Sequence, residues 1–193
     1  MEFEEAIQWG DRGKDLKDKT DVDTKWSTDH YLALARRDFG QPDIAMVYFL
    51  RDVPIEKVVD PEEFDEERDA SFYGNVGRCL HLMGQIDPAL VCYRKSALLL
   101  QRERSPHVEN QGFVRSWIGE LLVAKGDFCS AKAFLSAAKS KWRMVAPQRA
   151  ARLDEKLKEI EDQTRDCKPL SNSNSERYAV AWISEREHYF VQL

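Results

Sequence analysis

The chain has 193 residues, 42% of them hydrophobic and 33% charged, enough apolar material to bury a core within a hydrophilic surface. Its 29 basic and 34 acidic residues leave a net charge of −5, and no basic stripe of the kind that follows a phosphate backbone interrupts that balance, which excludes nucleic acid as an expected partner. No segment nears the roughly 20 consecutive apolar residues of a membrane span, and Met1-Glu-Phe-Glu-Glu5 lacks the basic and apolar regions of a secretory leader, so no membrane and a reducing, cytoplasmic setting are expected.

With only 9 glycines and 7 prolines, and apolar residues recurring three or four apart, helix is the expected element throughout and the fold class is all-α. Starting at the N-terminus, Phe3-Glu-Glu-Ala6-Ile7 reads as the second helix of a hairpin, within a partial unit over 1–20. Helices are then expected near 28–39, 42–52, 61–83, 88–103, 106–125 and 128–144. Asp60-Pro61-Glu62-Glu63 offers a capping aspartate, a first-turn proline and a glutamate at the third helical position, and Asp87-Pro88 and Ser105-Pro106 repeat the cap-plus-proline arrangement. Residues 148–166 form a polar helix with Leu153, Leu157 and Ile160 on one stripe, the composition of a solvated terminal cap. Ser171-Asn-Ser-Asn-Ser175 reads as a flexible linker. The last segment carries Tyr178, Trp182, Ile183, Tyr189, Phe190 and Val191; exposed, it would be a liability, so it is expected to dock on its own chain or on a partner.

Three stretches align without gaps: Gly40-Gln-Pro-Asp-Ile-Ala45, Gly84-Gln-Ile-Asp-Pro-Ala89 and Gly126-Asp-Phe-Cys-Ser-Ala131, their alanines 44 and 42 residues apart. Seven residues before each glycine lies a small residue (Ala33, Gly77, Gly119) behind an apolar one (Leu32, Val76, Ile118), and four residues after each alanine lies a bulky one (Phe49, Tyr93, Leu135). Each stretch therefore reads as helix, tight turn, helix. The glycine closes the turn, the small residues allow the helices to cross closely, and the bulky residue is expected to fill the space between one hairpin and the next.

This pattern, clearest over residues 73–97, resembles the tetratricopeptide repeat, in a long form with 42 to 44 residues per repeat instead of the usual period of about 34. It is similar to the long-helix arrays of kinesin light chains and of the sensor domains of bacterial signalling ATPases. The resemblance covers about residues 1–146. It implies a right-handed superhelical solenoid with repeats over 27–59, 61–104 and 106–146 and a capping helix over 148–166, together a domain over 1–168 followed by a linker and tail over 169–193. A glycine matching Ala6 would fall at position 1, so the chain is expected to begin within a repeat. Either it is the C-terminal part of a longer protein, or a neighbour completes the stack, or the first segment is simply a capping helix.

The resemblance also implies a function, a protein-interaction scaffold in which the first helix of each hairpin lines a concave groove. Carried across position by position, the lining is His30, Leu34 and Arg37; Asn75, Arg78, His81 and Leu82; and Phe113, Ser116, Glu120 and Val123, with Trp117 beside them. Family members that clamp a peptide carboxylate use Lys, Asn and Arg. Here only Asn75 matches that set, His30 and Leu34 stand at two of its positions, and Phe113 and Trp117 replace two basic residues, which disfavours such a ligand. The expected partner is a protein or peptide segment, and the chain is expected to be the C-terminal sensor or scaffold part of a bacterial signalling or defence protein. The alternatives are a peptide- or small-ligand-sensing regulatory domain, or self-association through the N-terminal edge or the tail.

Catalytic chemistry is not expected. His30, His81, His107 and His188 share no metal-ligand spacing and follow no nucleophile motif. Gly74-Asn-Val-Gly77 and Gly10-Asp-Arg-Gly13 follow no apolar strand and are not phosphate loops. Cys79, Cys92, Cys129 and Cys167 form no C-x-x-C pair and read as structural thiols. No cofactor and no metal are expected.

Overall fold

A helix must end before its chain can reverse, and three helices here end at the aligned glycines. The computed structural model describes residues 28–65, 68–102, 107–167 and 172–184, together with Glu4, Glu5, Ile7, Gln8, Gly10 and Arg12. Gly40, Gly84 and Gly126 have φ of 85°, 76° and 78°, the left-handed region that costs a residue with a Cβ about 1–2 kcal/mol. At each, the glycine N–H donates three residues back (to Arg37, His81 or Val123 O) and the next N–H donates five back (to Arg36, Leu80 or Leu122 O), at 2.9–3.1 Å. This is the Schellman pattern that satisfies the last carbonyls of a helix. In all three turns, the residue after the glycine then accepts the N–H of the aligned alanine, Ala45, Ala89 or Ala131. The three hairpins thus agree hydrogen bond by hydrogen bond.

The elements so joined are α1 (Thr28–Asp38) and α2 (Pro42–Phe49), a short α3 (Ile55–Val59), α4 (Ala70–Leu82) and α5 (Ile86–Arg102), and α6 (Val108–Ala124) and α7 (Phe128–Val145). After them come α8 (Pro147–Glu159), a 3-10 turn (Asp162–Thr164) and α9 (Asn172–Ser184). Among the described residues the chain is all-helical, with no strand. The six described positions between 4 and 12 are helical; Ile7 is buried and Gly10 lies against Leu32, while Ala6 falls outside the described residues.

The structure departs from expectation in four places. The helix expected over 61–83 begins only at Ala70. Asp60 accepts the N–H of Glu62 at 2.9 Å, an aspartate turn that competes with helix. The aspartate that caps α4 is Asp69, which accepts from Phe72 N at 2.7 Å. Second, α5 starts at Ile86, so Asp87 and Pro88 sit in its first turn; Ser105 and Pro106 fall outside the described residues. Third, the expected linker is helical from Asn172 onward, because Ser175, Ala179, Trp182 and Ile183 are buried and tertiary packing overrides a polar composition. Tyr189, Phe190 and Val191 lie outside the described residues.

The fourth concerns cysteine. Cys129 and Cys167, expected as free thiols, form a disulfide across 38 residues, with Cα atoms 5.6 Å apart. The return through α8 and the 3-10 turn brings Cys167 to the first turn of α7, a contact that spacing along the chain does not encode. Cys79 and Cys92 are free and buried.

The chain divides into two compact units, Met1–Arg68 with Asn75–Cys92, and Asp69–Gly74 with Tyr93–Leu193. In the first, α1 packs on α2 and the core holds Leu32, Ala33, Ala45, Phe49, Val76, Leu80 and Ala89. In the second, α7 is central: α6, α8 and α9 all pack on it, around Ile118, Leu121, Phe134, Leu135 and Leu153. The small crossing residues are all buried, Ala33, Ala45, Ala89 and Ala131 to 0% exposure. A Cβ on Gly119 would stand 2.8 Å from Leu135 Cγ and Cδ2. Leu135 therefore packs within its own hairpin, as does Phe49, edge-on to His30 at 5.8 Å. Tyr93 stacks on Trp117 of the following hairpin at 5.4 Å, as expected.

Two changes in stability are expected. A Cβ at Gly84 meets nothing within 4 Å, so Gly84→Ala should cost only the backbone strain, about 1–2 kcal/mol, read as a lower urea midpoint with an unchanged m-value. Reducing the disulfide should cost about 4 kcal/mol by loop-closure entropy, and Cys129→Ser should show the same loss in thermal melts without reductant.

Candidate functional site

The residues expected to line a groove fall into two sets, one in each unit. In the first unit, α1 contributes His30, Leu34 and Arg37, all half-buried, and α4 contributes Asn75, Arg78, His81 and Leu82. Arg37 is committed internally: its Nε donates to Asp38 at 2.8 Å and its Nη1 to Asn75 Oδ1. Asn75 is 8% exposed and joins α4 to the end of α1. His30 stands edge-on to Tyr31 and Phe49, which places it in the hairpin's aromatic packing. Arg78 and His81 lie one turn apart on α4, Arg78 Nη1 3.2 Å from His81 Nδ1, and Leu82 beside them is 47% exposed. Arg78, His81 and Leu82 form a short basic and apolar strip. Behind that strip, burial pushes the Cys79 thiol up to about 12, so it stays protonated and inert at neutral pH.

In the second unit, α8 covers much of what α6 was expected to present. The Arg149 guanidinium lies 4.2 Å from the centre of the Phe113 ring, a cation–π contact, and Phe113 also packs against Trp117 and Trp142. Glu120 is ion-paired with Lys156 of α8. Ser116 is buried, and Val123 is half-buried near the end of α6. Trp117, between Tyr93 and Phe113, is a packing residue. Phe113 and Glu120 thus lie at the seam between the last hairpin and α8.

The chemistry that sequence reading missed lies under α9. Arg115 of α6 is 1% exposed, and its Nε and Nη2 donate to the two oxygens of Glu176 at 3.1 and 2.9 Å. Lys141 of α7 reaches the same carboxylate at 3.1 Å, and Arg115 Nη1 donates to Gln111 O. Burial pulls the Arg115 guanidinium below its ordinary value while Glu176 raises it back. At the other end of α9, Arg94 Nε donates to Ile183 O at 2.9 Å, capping the helix's last turn. Between these anchors, Tyr178 OH is 2.7 Å from Ser130 Oγ and Trp182 packs edge-on to Phe134. Arg115 looked like one more charge on an amphipathic helix, and its partner lies 61 residues away, so no local pattern marks the pair.

Beside this latch, Cys129, Lys132, Ala133 and Ser136 of α7, Cys167, and Ser175 and Tyr178 of α9 enclose a cavity of about 210 Å³. Among the described residues no group of three or more His, Cys, Asp or Glu is placed to hold a metal ion. No family model, no curated protein and no solved structure matches the chain.

Removing Glu176 leaves a buried guanidinium with Lys141 beside it. Glu176→Ala should cost about 2–4 kcal/mol, and Arg115→Met combined with Glu176→Met should recover most of that loss. A double-mutant cycle by urea denaturation measures both.

Proposed function

We propose that the chain is a non-catalytic scaffold of tetratricopeptide type, whose hairpins stack in a right-handed superhelical solenoid capped by α8 and bind a peptide or protein segment. The observation that carries this reading is the threefold identity of the hairpin turns, with the same left-handed glycine, the same pair of terminal bonds and the same buried alanine at each. Proteins that repeat one supersecondary unit do so to build extended binding surfaces.

Of the groove positions, the strip on α4 is the best placed to meet a partner. Arg78 and His81 offer donors to acidic or carbonyl groups, and Leu82 offers an exposed apolar contact. A few such anchors dominate the affinity of a peptide in a groove. Phe113 and Glu120 are better read as supports for α8.

A sensor role within a larger signalling or defence protein fits the same architecture. Self-association through the C-terminal segment is the weaker reading, since α9 is packed on its own α7. Among the described residues no helix is long and apolar enough to cross a membrane. The buried thiols Cys79 and Cys92 suit a cytoplasmic setting, whereas the Cys129–Cys167 bridge favours an oxidising compartment or a transient oxidised state.

Panning the purified chain against a displayed random-peptide library tests the scaffold reading. Selected peptides should bind Arg78→Glu and Leu82→Asp at least about tenfold more weakly, with helix content unchanged by circular dichroism. Val47→Asp, at an exposed position of α2, should bind normally. Failure to select any peptide, or equal binding by all three variants, would sink the reading.

A further inference from the structure

From the cavity between α7 and α9 we infer a binding site for a small organic monocarboxylate, a function distinct from the proposed peptide scaffold. Three observations converge there. The cavity, about 210 Å³, is smaller than the sites that hold drug-sized ligands (roughly 300–1,000 Å³), which restricts it to a compact molecule. Its floor comes from one face of α7, where Lys132, Ala133 and Ser136 recur at helical spacing, and its far wall from Ser175 and Tyr178 of α9. The Cys129–Cys167 disulfide closes a side, holding Cys167 against α7.

The second observation is an uncompensated charge. Lys132 is half-buried, and its Nζ donates to a neutral oxygen, Thr164 Oγ1, at 3.2 Å. Among the described residues no carboxylate pairs with it. Of the acidic groups in this region, Asp127 caps α7 at Ser130 N, Glu176 is held by Arg115 and Lys141, and Asp162 pairs with Arg165. An ammonium in a partly desolvated recess is stabilised by an anion placed beside it.

The third is Ser175. Its side chain is 1% exposed and lines the cavity, and no described residue hydrogen-bonds its hydroxyl. A ligand oxygen in the cavity would accept from that hydroxyl. The remaining lining, Ala133, the disulfide and the Tyr178 ring, is apolar and suits a short hydrocarbon body. A phosphate dianion would leave most of its acceptors unmet here, since Lys132, Ser175 and Ser136 are the donors available, whereas a carboxylate has only two oxygens to satisfy.

Titrating the oxidised full chain with sodium butyrate, followed by chemical-shift changes, tests the site. Saturable binding in the millimolar range or tighter is expected, with shifts centred on residues 129–136 and 175–178. Lys132→Met should weaken it by about tenfold or more, and Ser175→Ala by severalfold. Lys139→Met, on the same helix but paired with exposed Asp154, should leave it unchanged. Neutral butyramide and inorganic phosphate should each bind at least about tenfold more weakly than butyrate. Absence of saturation in the millimolar range, equal binding of butyrate and butyramide, tighter binding of phosphate, or an unaltered affinity in a folded Lys132→Met variant would each overturn the inference.

Discussion

A helix that ends in a left-handed glycine satisfies its final carbonyls with the two N–H groups at and just after that glycine, and the chain can then reverse within a few residues. Gly40, Gly84 and Gly126 do this with matching bonds. The register of every hairpin depends on it, because a reversal of fixed geometry sets where the next helix begins and which residues face back. Ala45, Ala89 and Ala131 fall at the same step after each turn and are fully buried, so the second helix of each pair always returns on its smallest side chain. A longer or looser turn would let that register slip, and larger residues would then meet at the crossing.

Packing after the third hairpin obeys different rules. There α8 and α9 come back onto α7, and polar contacts join the apolar ones. The Arg115–Glu176 pair, the Arg94 bond to Ile183 O and the Tyr178–Ser130 contact hold α9 at both ends and its middle, while Ala179, Trp182 and Ile183 provide its apolar burial. Hydrophobic contact alone tolerates sliding, whereas a bidentate guanidinium–carboxylate pair fixes one position along the helix. The disulfide ties Cys167 covalently to the first turn of α7.

These two styles of packing bear directly on function. Where a helix face is covered by another element, as Phe113 and Glu120 are by α8, residues that could line a groove serve the core. Where it is not, as at Leu82, the face stays available. The cavity beside the disulfide lies where the first turns of α9 face α7.

The amino-acid order alone determined the helical class, the three turns and the burial of the small crossing residues, because these depend on backbone sterics and periodicity within about 40 residues of chain. It misplaced the start of α4, where two aspartates compete to cap and the choice between Asp60 and Asp69 rests on packing that neither local signal reports. It also left residues 172–175 as linker, since nothing in Asn-Ser-Asn-Ser shows that an arginine 61 residues before Glu176 awaits that helix. The disulfide, the salt-bridge latch and the cavity were decided by tertiary structure. Each joins groups distant along the chain, and only the path of the chain through α8 and back sets the distance between them.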